Sequence, residues 1–134
     1  MGLQRTISFE TDSRPSWESV HSAFGTIGER PVVRMIDNLP AFPDEVPEPG
    51  WRELRISLSG GMVTIRTTPL GWDCVIWGTG EPGLMRSWNS ACWAIATAGH
   101  ATIRLEDGTT VSADEFRRLL SIPTSSSSEE EGRG

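Results

Sequence analysis

Gly78, Gly80 and Gly83 form a G-x-G-x-x-G run, the pattern in this chain most suggestive of ligand chemistry. The run lies between a predicted strand, residues 74–77, and a predicted helix, residues 84–98. Glycine at a strand-to-helix turn lets backbone N–H groups approach an anion, and the helix dipole favours negative charge at that end. The run therefore predicts a phosphate-binding turn.

The stretch from Val75 to Glu106 resembles the fingerprint of flavin- and NAD-binding Rossmann proteins. The resemblance covers about a quarter of the chain. It implies a parallel β-α-β unit, a pyrophosphate held at Gly78, Gly80 and Gly83, and a ribose hydroxyl bound by Glu106. A nucleotide or a flavin is therefore an alternative ligand, although the primary prediction for this chain involves no cofactor.

Alternation of apolar and polar residues predicts a β-hairpin over residues 54–67. Gly60 and Gly61 are predicted as the two-residue turn between its strands. A further strand over residues 72–77 follows directly along the chain. Three sequential strands are therefore predicted to form an antiparallel meander.

The complete pattern predicts an α+β fold with an antiparallel or mixed sheet of five to six strands. The predicted order of elements is β-α-β-β-β-β-α-β-(β)-α, with the helices packed mainly on one face of the sheet. Ser13 or Ser16 is predicted to cap the first helix. Ser112 and Glu115 have the spacing of a capping box at the start of the last helix.

The six tryptophans separate into predicted core residues and predicted interaction residues. Trp88 lies on the apolar stripe of its predicted helix, whereas Trp93 projects about 140° away on the side of Arg86. Trp72 and Trp77 lie five residues apart on one strand, so they point to opposite faces of the sheet. Trp93, Arg86, Trp77 and Trp72 are therefore the predicted interaction residues. The alternative for Trp93 is burial beneath the proline-rich segment.

That segment, residues 38–50, is predicted to be a long loop, and we call it the Pro-rich loop. It contains Pro40, Pro43, Pro47 and Pro49. Prolines at this density exclude a helix or a central strand, because they fix φ and remove N–H donors. A loop of this length is often functional or mobile. The alternative is a solvated crossover packed over one end of the sheet.

Composition argues against several classes of partner. The formal net charge of −6 disfavours nucleic acid, for which phosphate neutralisation supplies much of the affinity. No apolar run approaches the roughly 20 residues that span a bilayer, so no membrane partner is predicted and the protein is predicted to be cytoplasmic.

Cys74 and Cys92 are predicted to be buried, reduced thiols. The two histidines, His21 and His100, lack the spacing of a metal site.

These observations predict a small soluble binding module without catalysis. Residues 1–123 are predicted to form one domain, and the Ser-, Glu- and Gly-rich residues 124–134 a disordered tail. The predicted partner is another protein or a second copy of the chain, as in small immunity or inhibitor proteins, a comparison made by class alone. The alternative function is nucleotide or flavin binding at the Gly78 to Gly83 turn.

Overall fold

The computed structural model describes residues 2–10, 14–42, 44–78 and 81–120. These residues form eight strands and three helices. In chain order the elements are β1 (Gly2–Ser8), α1 (Trp17–Thr26), β2 (Val32–Ile36), β3 (Leu39–Pro40), β4 (Glu53–Leu58), β5 (Gly61–Thr67), β6 (Gly71–Trp77), α2 (Pro82–Gly99), β7 (Thr102–Arg104), β8 (Thr110–Ser112) and α3 (Ala113–Leu120). The predicted tail, residues 124–134, lies outside the described residues.

The eight strands belong to one sheet, in which the described strand pairs are all antiparallel. The strand order is β3-β2-β4-β5-β6-β1-β7-β8. The predicted α+β class is confirmed, and the sheet is the antiparallel of the two predicted types. The predicted number of five to six strands is wrong, because the short strands β3 and β8 extend the sheet at its two edges.

Strand β3 lies inside the predicted Pro-rich loop. Its two residues, Leu39 and Pro40, pair with Ile36 and Met35 of β2. A proline is tolerated there because β3 is an edge strand, where no further strand needs its missing N–H group. The described residues of this segment, 38–42 and 44–50, therefore contain an edge strand and, as predicted, no central one.

Strands β4 and β5 form the predicted hairpin, and β6 continues the meander by pairing with β5. Leu58 pairs with Gly61, so the turn consists of Ser59 and Gly60, one residue earlier than predicted. The alternating apolar residues of β4 are buried, which confirms the predicted dry face of this strand.

Helices α1 and α3 begin at predicted caps. The backbone N–H of Ser19 donates to the Ser16 hydroxyl at 3.1 Å, which caps α1. The Glu115 N–H donates to the Ser112 hydroxyl at 3.2 Å, and the Ser112 N–H donates to the Glu115 carboxylate at 3.4 Å, which confirms the capping box of α3. Helix α2 contacts α1, α3 and strands β1, β5, β6 and β7. The arrangement of all helices mainly on one face stays a prediction.

Arg5 places a positive charge in the core between the sheet and α2. Its side chain is 5% exposed, and it pairs across the sheet with Cys74 of β6. Nε donates to the Glu106 carboxylate at 2.6 Å, and Nη1 donates to the side-chain oxygen of Asn89, also at 2.6 Å. The guanidinium also lies over the Trp88 ring. A buried charge is tolerated only when it is paired and hydrogen-bonded in this way.

Cys74 and Cys92 are free thiols, and both are buried, as predicted. Burial raises the pKa of the Cys74 thiol well above its usual value. This thiol therefore stays protonated at neutral pH, and the protonated form is not the nucleophile. Cys74 belongs to the core.

Candidate functional site

The Pro-rich loop starts from a tight turn at the end of β2. Asp37 and Asn38 have φ angles of 50° and 69°, the left-handed conformation typical of type I′ hairpin turns. The Asp37 carboxylate accepts hydrogen bonds from the backbone N–H groups of Arg52 and Glu53 at 2.7 and 2.8 Å. The bonds from Glu53 and then Arg52 lower the pKa of Asp37. The two ends of the loop are thereby joined through a charged side chain.

Three large apolar side chains of the Pro-rich loop face solvent. Leu39 is 68% exposed, Phe42 is 75% exposed and Val46 is 53% exposed. Single exposed apolar residues are normal on protein surfaces, but three on one short segment form a feature typical of interaction sites. The Glu45 N–H donates to the Phe42 carbonyl at 2.9 Å, so this part of the loop is folded as a turn.

The charges of the Pro-rich loop all have the same sign. Asp44, Glu45 and Glu48 are exposed, and the loop contains no arginine, lysine or histidine. The Glu45 carboxylate accepts a hydrogen bond from the Phe42 N–H at 3.1 Å. Apolar side chains thus alternate with carboxylates along one exposed segment, which suits a partner with apolar and basic groups.

A groove of about 440 Å³ lies between the loop and the start of α1. We call it the tryptophan groove, and its walls include Trp17, Trp51, Trp72, Pro15, Pro47 and Pro49. The rings of Trp51 and Trp72 lie 4.9 Å apart at an angle of 58°. The volume falls within the usual range for ligand pockets.

A second groove, of about 520 Å³, lies between α1 and the other part of the loop. It shares Trp17 and Glu18 with the tryptophan groove, and it is also lined by Asp44, Glu45 and Val46. The second groove is therefore mainly acidic, whereas the tryptophan groove is lined by one acid, Glu18, and one base, Arg14. The walls of the two grooves combine indole, proline and aliphatic surface.

The predicted interaction residues do not form one accessible surface. Trp93 is 6% exposed and Trp72 is 3% exposed, so both belong to the core of the free protein. Trp77 is 55% exposed on the opposite face of β6 from Trp72, as predicted, and Arg86 is exposed on α2. Of the four residues, Trp72 alone lines the tryptophan groove, and the exposure expected for Trp93 is absent from the structure.

Only part of the glycine run is described, since Gly80 lies outside the described residues. Gly78 is exposed with a φ of 144°. Gly83 lies in the first turn of α2, where it packs against the β4–β5 turn: a Cβ atom at Gly60 would overlap the Gly83 carbonyl oxygen. A Cβ atom at Gly83 would itself meet Gly60 at an ordinary 3.5 Å, so the close approach requires glycine at position 60 and not at position 83.

The topology also differs from the arrangement that the Rossmann resemblance implies. Strands β6 and β7, on either side of α2, are separated in the sheet by β1, to which both are antiparallel. The expected pair of adjacent parallel strands is therefore absent from the described sheet. Glu106, the expected ribose ligand, instead pairs with Arg5.

No group of three or more His, Cys, Asp or Glu side chains within the described residues can hold a metal ion. Among the helices of the described part of the chain, none has the length and apolarity to cross a membrane. No protein-family model matches the chain, and no curated protein or solved structure shows significant similarity to it.

The most informative residues of the site, Phe42 and Val46, are not among the predicted interaction residues. Their signal in the sequence is an apolar residue placed between prolines and acids, where no helix or central strand can bury it. Arg5 had a signal as well. It lies two residues before Ile7 along β1, so the two side chains share one face of the strand, and the apolar Ile7 indicates that this face points into the core.

Proposed function

We propose that this protein is a soluble cytoplasmic binding module that recognises a protein partner through the Pro-rich loop. The observation that carries this proposal is the 75% exposure of Phe42, shortly before the carboxylate-bearing residues of a loop whose base is hydrogen-bonded. Aromatic side chains presented on a held backbone supply much of the energy of protein interfaces, because little conformational freedom is lost on binding.

The charge of the loop favours a partner with a basic surface over a second copy of the chain. Asp44, Glu45 and Glu48 would face one another in a symmetric contact, and the chain as a whole carries a net charge of −6. Like charges brought together at an interface oppose association. The function therefore resembles that of small acidic inhibitor or immunity proteins, which act by occupying a partner.

The experiment is affinity capture from cells that produce the protein, comparing wild type with Phe42→Ser and Leu119→Ser. Leu119 is 62% exposed on α3, at the opposite edge of the sheet, so its variant is the matched control. We expect wild type and Leu119→Ser to retain the same protein and Phe42→Ser to lose it. Equal capture by all three would contradict the proposal, and so would loss with Leu119→Ser alone.

Sedimentation of the wild type separates a foreign partner from self-association. We expect a monomer, because the acidic loops repel one another. A dimer that Phe42→Ser converts to monomers would show that the loop binds a second copy, which would overturn the proposal of a foreign basic partner.

Nucleotide or flavin binding remains the second candidate function. It is supported by the exposed, left-handed Gly78 directly after β6, and it is weakened by the packing of Gly83 against Gly60. A thermal-shift screen with nucleotides and flavins tests it, because a ligand at a hundred times its Kd stabilises a protein by about 2.7 kcal/mol. We expect no shift, and a saturable shift would make this the better function.

A further inference from the structure

Trp72, which lines the tryptophan groove, has a buried hydrogen-bond donor without an acceptor among the described residues. Trp72 is 3% exposed, and its indole Nε1 has no hydrogen-bond partner among the described residues. Leaving such a donor unpaired in the interior is unfavourable, because the group has lost its bond to water. An acceptor brought by a ligand would remove this penalty.

The other walls of the groove restrict the chemistry of that ligand. Pro15, Pro47 and Pro49 have no N–H group, and Trp17 and Trp51 offer aromatic surface. The lining also includes Arg14, Ser16 and Thr67, whose side chains carry hydrogen-bond donors. The groove therefore suits an elongated apolar ligand that brings carbonyl acceptors. A proline-containing peptide in the polyproline II conformation has this chemistry, since its carbonyls point outward and its prolines carry no N–H.

Charge at the groove indicates what flanks the prolines of the ligand. Glu18 and Arg14, whose guanidinium lies over the Phe9 ring, both line the tryptophan groove. The adjoining groove is lined by Asp44 and Glu45. A segment that leaves the tryptophan groove along the Pro-rich loop passes these carboxylates. Arginine or lysine next to the prolines would therefore be complementary in charge.

We propose that the tryptophan groove binds an extended, proline-containing segment of the partner protein that is flanked by basic residues, with the Trp72 N–H donating to a peptide carbonyl. This inference deepens the proposed function, on which it rests, because the Pro-rich loop forms one wall of the groove. The Trp72 nitrogen has almost no contact with solvent in the free protein. The carbonyl reaches it only when the side chains around it move slightly.

The probe is an acetylated and amidated peptide of four prolines followed by two arginines, added to the isotope-labelled full chain and followed by NMR. We expect the Trp72 indole N–H resonance to move downfield with a saturable dependence on peptide concentration. A peptide with two glutamates in place of the arginines should bind more weakly, and the difference should shrink at high salt.

The decisive variant is Trp72→Phe, which removes the donor and retains an aromatic ring. We expect it to weaken binding of the arginine peptide about two- to ten-fold, the range expected for one neutral hydrogen bond. Trp93→Phe is the matched control, because Trp93 also has a buried Nε1 without a partner among the described residues but lies outside the walls of the groove. This control should bind as wild type does.

Several outcomes would overturn the inference. One is absence of binding at millimolar peptide. The others are an equal loss of peptide affinity in Trp72→Phe and Trp93→Phe, and a shift of the Trp72 resonance when adenosine replaces the peptide. Each of these concerns the groove and a synthetic probe. The proposed function, in contrast, fails if Phe42→Ser captures the natural partner as well as wild type does. The two failures are therefore distinguishable.

Discussion

Asp37 and Arg52 are joined at the base of the Pro-rich loop, where the Asp37 carboxylate accepts the Arg52 N–H at 2.7 Å. The same carboxylate oxygen accepts the Glu53 N–H, and the Asp37 N–H donates to the Glu53 carbonyl at 2.8 Å. This connection spans the two ends of the loop. It closes the base of the loop, and Phe42 and Val46 are exposed at the loop surface.

This connection predicts a specific sensitivity to acid. The pKa of Asp37 is lowered by the N–H groups of Glu53 and Arg52, so the charged form is the one that stabilises the fold. Its contribution is complete above the unfolded pKa of about 3.9 and is lost as the pH falls through the lower folded pKa. Asp37→Asn tolerates the left-handed turn and removes the titration. Denaturant melts should show a smaller loss of stability for this variant than for wild type below about pH 4.

The free energies of unfolding of Asp37→Asn and wild type, plotted against pH, should converge as the pH falls. Asp107 has a lowered pKa of its own through hydrogen bonds from Thr109, and it titrates equally in both proteins. Parallel curves throughout the acid range would mean that the Asp37 charge does not hold the base of the loop.

Arg5 is predicted to be the most costly charged residue to remove. Arg5→Ala eliminates the ion pair with Glu106, the bond to Asn89 and the stack on Trp88, whose ring centre lies 3.7 Å from the guanidinium carbon. We expect a loss of about 3 kcal/mol in the free energy of unfolding. Arg34→Ala is the control, because Arg34 is exposed and should change stability by less than about 0.5 kcal/mol. Similar melts for both variants would refute the core role of Arg5.

The indole N–H groups of the buried tryptophans Trp88 and Trp93 are predicted to contribute differently to stability. The Trp88 Nε1 donates to the Cys74 carbonyl at 2.9 Å, whereas the Trp93 Nε1 has no partner among the described residues. Trp88→Phe should therefore destabilise the protein by about 1 kcal/mol more than Trp93→Phe. Chemical denaturation of the two variants measures this difference, and the reverse order would contradict it.

Gly60 is predicted to be intolerant of any side chain. A methyl group there would overlap the Gly83 carbonyl and force α2 away from the β4–β5 turn, at a cost of about 2 kcal/mol or more. Gly25→Ala is the control, because nothing lies within 4 Å of a Cβ at Gly25 in α1. That change should be neutral or slightly stabilising. Thermal melts that rank Gly60→Ala with Gly25→Ala would show that this contact has little importance.

Features that depend on local pattern could be predicted from the sequence. The hairpin of β4 and β5 follows from alternation over residues 54–67, and the Ser112–Glu115 capping box follows from spacing alone. The opposite exposure of Trp72 and Trp77 follows from their odd separation on one strand. Each of these depends on neighbours in the chain.

Features that depend on distant partners could not be predicted in this way. The side chains of α2 from Ser90 to Ala96 are all buried, because α1, α3 and the sheet contact this helix. Trp93 is therefore buried although its own neighbours on the helix are polar. Similarly, β3 exists because Met35 and Ile36 offer an edge to which Leu39 and Pro40 can pair.

The most direct test of a partner-binding Pro-rich loop is photo-crosslinking from position 42 inside cells that make the protein. A benzophenone amino acid replaces Phe42 in one variant and Leu119 in the control, since both side chains are exposed and lie on different parts of the fold. We expect one discrete adduct with a foreign protein from position 42, suppressed by excess unlabelled wild type, and none from position 119. The same adduct from both positions, or a product with a second copy of this chain alone, would contradict it.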